Sequence, residues 1–155
     1  MTDAQTETGP SLSLDKIYLK DVSFEAPGAP QVFLEQGNSD VQMQLGIRHS
    51  VIDQAQGFYE VILSVTVTAK TGDKPAFLVE VQQAGVFHVQ GVGEDILERT
   101  LEITAPSVLL PFAREAVSDL IGKGGFPPLL ITPINFEQLY EQKQAAQQAP
   151  VAGHA

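Results

Sequence analysis

Two long runs in which apolar and polar residues alternate one for one constrain this chain more than anything else in it. In residues 58–69, FYEVILSVTVTA, the side chains of Tyr59, Val61, Leu63, Val65 and Val67 fall on one side, with Glu60, Ser64, Thr66 and Thr68 on the other. In residues 76–90, AFLVEVQQAGVFHVQ, Phe77, Val79, Val81, Phe87 and Val89 stand in the same way against Leu78, Glu80, Gln82 and His88. Successive side chains of a strand point to opposite faces, so each run is a strand with a core side and a wet side. The β-branched content agrees. KTGDKP between them reads as a turn, and the pair is expected to form an antiparallel hairpin.

Two further strands precede this hairpin. Val41, Met43, Leu45 and Ile47 alternate with Gln42, Gln44, Gly46 and Arg48. From Leu12 to Phe24 the even positions carry Leu12, Leu14, Tyr18, Val22 and Phe24, interrupted by Lys16 and Lys20, while Ile17 and Leu19 make the other face partly apolar. Within that stretch, IYLKDVSFEAPGAP at 17–30 is expected to send Tyr18, Val22 and Phe24 to the core and to leave Asp21, Ser23 and Glu25 in solvent. Pro27 and Pro30 end it. The proline- and glycine-rich residues 26–40 are long for a hairpin loop and predict a crossing connection.

The second half changes period. Ile96, Leu97 and Leu101, then Leu109, Phe112, Ala113, Ala116, Val117, Leu120 and Ile121 recur at helical spacing, which predicts a helix over most of 94–122. Pro106 and Pro111 argue for a break or kink, although Pro111 falls in the first turn, where the loss is small, if Ser107 caps a second segment. Gly122, Gly124 and Gly125 end it, and FPPLLITP at 126–133 is extended. Asn135 then caps a last helix, with Gln138 completing a capping box and Ile134 packing on Leu139.

At 155 residues the chain is one ordinary domain, expected to occupy 11–142 between tails at 1–10 and 143–155. Its apolar runs are far shorter than the roughly 20 residues a membrane span needs. The N-terminus has neither the basic nor the apolar character of a leader, so a cytoplasmic location is expected. With no cysteine, disulfides and thiolate chemistry are excluded. A net charge of −10 repels nucleic acid and anionic lipid, and its natural complement is a basic protein partner.

Catalytic and cofactor motifs are missing. GKGGF at 122–126 lacks the spacing of a phosphate loop, and GVGED at 91–95 lacks its third glycine. His49, His88 and His154 form no ligand motif, no serine sits in a nucleophile elbow, and the acids are scattered over wet faces. No enzyme activity, metal or cofactor is expected. Apolar loop residues remain unspent: Val32, Phe33 and Leu34 in one loop, Leu129, Leu130 and Ile131 in another. Such patches either lid a monomer core or mark a binding or oligomer surface.

Four ordered blocks carry a resemblance to a known family: IYLKDVSFEAPGAP at 17–30, YEVILSVTVTA at 59–69, FLVEVQQAGVF at 77–87 and PFAREAVSDLIGKGGFPPLLITPINFEQLY at 111–140. The chain resembles SecB, the bacterial protein-export chaperone. The resemblance implies an α+β fold, a four-stranded antiparallel sheet with one long and one short C-terminal helix, assembled as a tetramer that is a dimer of dimers. It implies an ATP-independent chaperone that holds unfolded secretory precursors in apolar grooves and delivers them to the translocation motor ATPase SecA. Val41, Met43, Leu45, Phe136, Leu139 and Tyr140, with Val32, Phe33 and Leu34, match the groove. Asp21, Glu25, Leu78 and Glu80 match the SecA-facing residues, and Val79, Val81 and Gln83 match positions tied to tetramer assembly. Two departures stand out: Gly37 replaces a tryptophan common in close relatives, and Val79 stands where a cysteine occurs. SecB-like chaperones of toxin–antitoxin pairs share the fold and give an alternative client class. An oligomeric adaptor with a single folded partner or a small ligand is the rival from another class.

Overall fold

The computed structural model describes residues 9–35 and 37–148. Strands β1 (Ser11–Glu25), β2 (Ser39–Asp53), β3 (Phe58–Thr71) and β4 (Lys74–Gln90) form one antiparallel sheet in the order β1-β4-β3-β2. The two strictly alternating strands are therefore the central pair. They are joined through Gly72 and Asp73, and Gly72 has φ 64°, the left-handed backbone required at the first position of a type II′ hairpin turn. Because β1 and β2 are at opposite edges, the connection between them crosses the whole end of the sheet, carrying a single 3-10 turn (Gln31–Leu34) on the way.

The broken alternation of β1 has a specific cause. Its pairing with β4 slips between Leu14 and Lys16 and again between Leu19 and Asp21, so Asp15 and Lys20 are extra residues in two β-bulges. Each bulge inverts the parity of the strand. Leu12 and Leu14 lie opposite Val89 and Phe87, Ile17 and Leu19 opposite Gly85 and Gln83, and Val22 and Phe24 opposite Val81 and Val79. All six apolar residues thus share the face on which β4 turns its core side chains. The expectation that Tyr18 enters the core is overturned, because between the two bulges it lies opposite Ala84 on the outer face.

One helical rod covers the inner face. It runs as α1 (Glu94–Arg99), a π turn (Thr100–Thr104) and α2 (Ala105–Lys123) without interruption. The break expected at the prolines does not occur. Ser107 caps nothing; it is inside α2 and its Oγ donates to the Ile103 carbonyl at 2.6 Å. Pro106 sits in the first turn of α2, where a missing N–H costs little, and the wider π turn before it makes room for a ring that would crowd the carbonyl four residues back. Ala105, Leu109, Ala113, Val117 and Ile121 make a stripe at every fourth position, wholly buried against Val61, Leu63, Val65, Val67, Val79 and Val81.

A Schellman turn stops the rod. The Phe126 N–H donates to the Ile121 carbonyl at 3.2 Å and the Gly125 N–H to the Gly122 carbonyl at 3.0 Å, with Gly125 at φ 87°. An extended stretch then leads to α3 (Phe136–Gln148), whose start is capped by the Asn135 side chain accepting from the Gln138 N–H at 3.0 Å. Residues 143–148, expected in the tail, are helical. The expected tails at 1–8 and 149–155 lie outside the described residues.

Candidate functional site

Two regions gather the residues singled out by sequence. On the outer face, Ser23 pairs with Glu80, Glu25 with Leu78 and Asp21 with Gln82. Residues directly opposite in an antiparallel pair share a face, so Asp21, Glu25, Leu78 and Glu80 form one cluster on two adjacent strands. Asp21 and Glu25 are exposed, Leu78 and Glu80 partly so. None of the ion pairs among the described residues uses these three carboxylates. They form an uncompensated acidic patch.

Farther along the same face the charges are compensated. The Tyr18 hydroxyl donates to Glu60 Oε2, and Lys20 Nζ lies 2.8 Å from Glu60 Oε1. Burial, followed by the Glu60 carboxylate, pushes Tyr18 up to about 12. The hydrogen bond from Lys20, then that from Tyr18, holds the Glu60 carboxyl below its usual value. This knot seals Ile62 and Ala84, which are buried on a nominally wet face.

On the inner face, β2 and α3 border a cleft of about 550 Å³ lined by Met43, Leu45, Gly46, Ile47, Glu102, Leu139, Tyr140 and Lys143. Of the expected groove residues, Met43, Leu45, Leu139 and Tyr140 are brought together here. Val41 is on the same face of β2, 40% exposed, beyond the cleft's lining. Val32, Phe33 and Leu34 belong to the 3-10 turn at the end of the sheet, where the ring of Phe33 meets Phe126 at 5.2 Å, Phe126 meets Phe77 at 4.8 Å, and Phe77 stacks on Phe24 at 6.2 Å. Val41 lies opposite Ala69, which lies opposite Phe77, so it links this aromatic end to the cleft. From Val41 to Ile47 the strand advances about 20 Å. Phe136 is a correction: at 2% exposure it anchors α3 in the core and is not among the residues that line the cleft.

Nothing in the sequence singles out Glu102 or Lys143, and His49 stands there only as a histidine outside any ligand motif. Glu102 stands in the π turn, with His49 Nε2 at 3.1 Å and Lys143 Nζ at 3.6 Å. No motif announces them; the available signal was an acidic residue next to the core residue Leu101. Above them, Arg99 pairs with Glu137 at 2.9 Å and lies 5.4 Å from the centre of the Tyr140 ring, joining α1 to α3. Among the described residues no three His, Asp or Glu side chains converge to hold a metal ion.

Val79, Val81 and Gln83 face inward, as the alternation of β4 leads one to expect. They are 0%, 0% and 3% exposed within a single chain and so cannot themselves form a contact surface between copies. Gln83 instead donates its Nε2–H to the Tyr18 carbonyl at 3.1 Å, beside the second bulge of β1. What is uncovered lies on the neighbouring strand: Leu12, Leu14, Leu19 and Val22 are between 38% and 51% exposed.

A family model described as preprotein translocase subunit SecB matches residues 5–147. The chain belongs to the SecB family. The SecB protein-export protein of Chromobacterium violaceum is 50% identical over 151 residues, covering 97% of this chain and 98% of the relative. That of Nitrosococcus oceani is 47% identical over 137 residues, 88% of this chain and 84% of the relative. Among solved structures, a SecB-like chaperone of Mycobacterium tuberculosis, in complex with a peptide from an antitoxin, superposes with a TM-score of 0.68 over 79% of this chain and 90% of its own at 17% identity. That last likeness is one of fold. The chain is a protein-export chaperone of the SecB family, a class that holds proteins rather than converting substrates. No helix among the described residues is long and apolar enough to cross a membrane.

Proposed function

We propose that this chain works in the cytoplasm as an ATP-independent holdase, with no catalytic step of its own, that binds unfolded secretory precursors along β2 and passes them to SecA. The observation that carries the reading is the run of half-exposed apolar side chains from Val41 through Met43 to the cleft under Leu139, on a chain whose core is already complete without them. Burial of apolar surface contributes roughly 25 cal/mol per Å² and has no directional requirement, which suits a surface for many unrelated unfolded chains. The acidic patch of Asp21, Glu25 and Glu80, with Leu78 beside it, is the docking face for SecA. It is separated from the cleft by the thickness of the sheet, so client and motor can be bound together.

The uncovered apolar residues of β1 support assembly. Leu12, Leu14, Leu19 and Val22 on an edge strand, with Val108 and Phe112 exposed on α2, are surfaces that a second and then a third and fourth copy cover, giving the dimer of dimers. Native mass spectrometry combined with light scattering tests the reading. A tetramer that suppresses aggregation of several unrelated unfolded precursors at stoichiometric ratio without nucleotide is the expected result. A monomer, or protection of one partner alone, would sink it in favour of a dedicated adaptor.

A further inference from the structure

The client cleft contains one charged group that an apolar surface does not require. The Glu102 side chain is nine-tenths buried, yet Met43, Leu45 and Leu139 stand around the same space. A carboxylate offers about four acceptor directions. Its partners are few: His49 Nε2 is 3.1 Å from Oε1, and Lys143 Nζ is 3.6 Å from Oε2, longer than a hydrogen bond. Lys143 is also half exposed and comes from α3, whose one buried residue is Phe136. Arg99, the other nearby cation, is already engaged by Glu137.

We propose that Glu102 is a specificity-determining residue of this cleft, accepting a lysine or arginine side chain of the bound segment in place of Lys143. The inference rests on the cleft being the client site. An incoming cation can approach within hydrogen-bond distance, and arginine can do so with two parallel bonds. Lys143, released, returns to water at little cost. An incoming carboxylate would put a second anion beside one that is already desolvated, so acidic segments are rejected. The cleft therefore selects apolar stretches that carry a cation within reach of Glu102.

The test uses the assembled full-length protein and three fluorescent peptides of about eight residues, matched to the roughly 20 Å run of β2, identical except for a central lysine, norleucine or glutamate. Fluorescence anisotropy should rank lysine above norleucine above glutamate, the two ends differing about tenfold or more. Glu102→Gln should bring the three within about twofold, while Lys143→Met should tighten the lysine peptide several-fold more than it tightens the norleucine peptide. An unaltered ranking in Glu102→Gln would assign the preference to the overall negative charge and overturn the inference, as would weaker lysine-peptide binding in Lys143→Met. If Glu102→Gln fails to assemble, Lys143→Met, at a half-exposed position, decides alone through the difference between the lysine and norleucine peptides. Failure of the norleucine peptide to bind at all defeats the cleft as client site, a different outcome from loss of discrimination alone.

Discussion

Reversing Asp21 and Glu25 to lysine should separate docking from holding. The two residues are four apart on one strand, about 13 Å, and Glu80 stands one strand over and midway between them, opposite Ser23, which puts it about 8 Å from each. That distance equals the Debye length of about 8 Å at physiological ionic strength, so a basic partner meets the three carboxylates as one patch. Exposed pairs contribute a few tenths to one kcal/mol each, and the double reversal both removes two attractions and adds two repulsions. Affinity for SecA should fall about 30-fold, mainly through slower association. In ~0.5 M salt, where screening acts within about 4 Å, the gap between wild type and variant should close to a few-fold. Calorimetry at two salt concentrations measures this, with aggregation suppression as the control. The substituted side chains face solvent, so folding and client capture should be intact. SecA binding that survives the reversal, or client capture that is lost with it, would refute the assignment of this face.

The Glu60 knot predicts a pH dependence. A carboxyl held below its ordinary 4.5 gives stability that is complete above that value and is lost as pH falls through the depressed folded value. Lys20→Met combined with Tyr18→Phe should therefore flatten the acid-side loss of the denaturation midpoint below pH 4.5 while lowering stability at neutral pH. Gly125→Ala must place a side chain at φ 87° and within 3.1 Å of the Phe33 ring, and should cost about 1–2 kcal/mol by chemical denaturation, whereas Gly122→Ala, with open space around it, should be neutral or stabilising. Deleting Lys20 removes a bulge residue and leaves Val22 and Phe24 on the inner face, so circular dichroism should show a folded protein. Deleting Ser23 turns Phe24 outward and should abolish cooperative unfolding.

Strict alternation made β3 and β4 legible from sequence because both strands lie in the middle of the sheet and their mutual register is unbroken from Phe58 to Ala69, slipping only beyond Ala69 at the hairpin end. In β1 the same reasoning failed at Tyr18, since each bulge reverses parity and nothing in the pattern marks Asp15 or Lys20 as the extra residue. The helical stripe read correctly through two prolines but not through the π turn, which tolerates Pro106 and brings Glu102 over β2. Asn135 as a cap and Gly125 as a stop follow from local backbone chemistry, and both were visible. Met43, Leu45, Leu139 and Tyr140 were legible as apolar faces. Phe136 was misplaced because an amphipathic helix shows which side is apolar without showing which of its residues reaches the core.

The two edges of the sheet offer an extended chain very different invitations. Along β1 the ladder with β4 breaks into Ser11–Leu14, Lys16–Leu19 and Asp21–Glu25, whereas β2 keeps an unbroken register with β3 from Ser39 to Val51. The free rows of N–H and carbonyl groups on their outer sides inherit those interruptions. A polypeptide settling on β1 would have to break step after every few residues, while one lying along β2 could stay in step beside the cleft. Before any side chain is read, the backbone of this chaperone already distinguishes where a stranger's strand can lie from where it cannot.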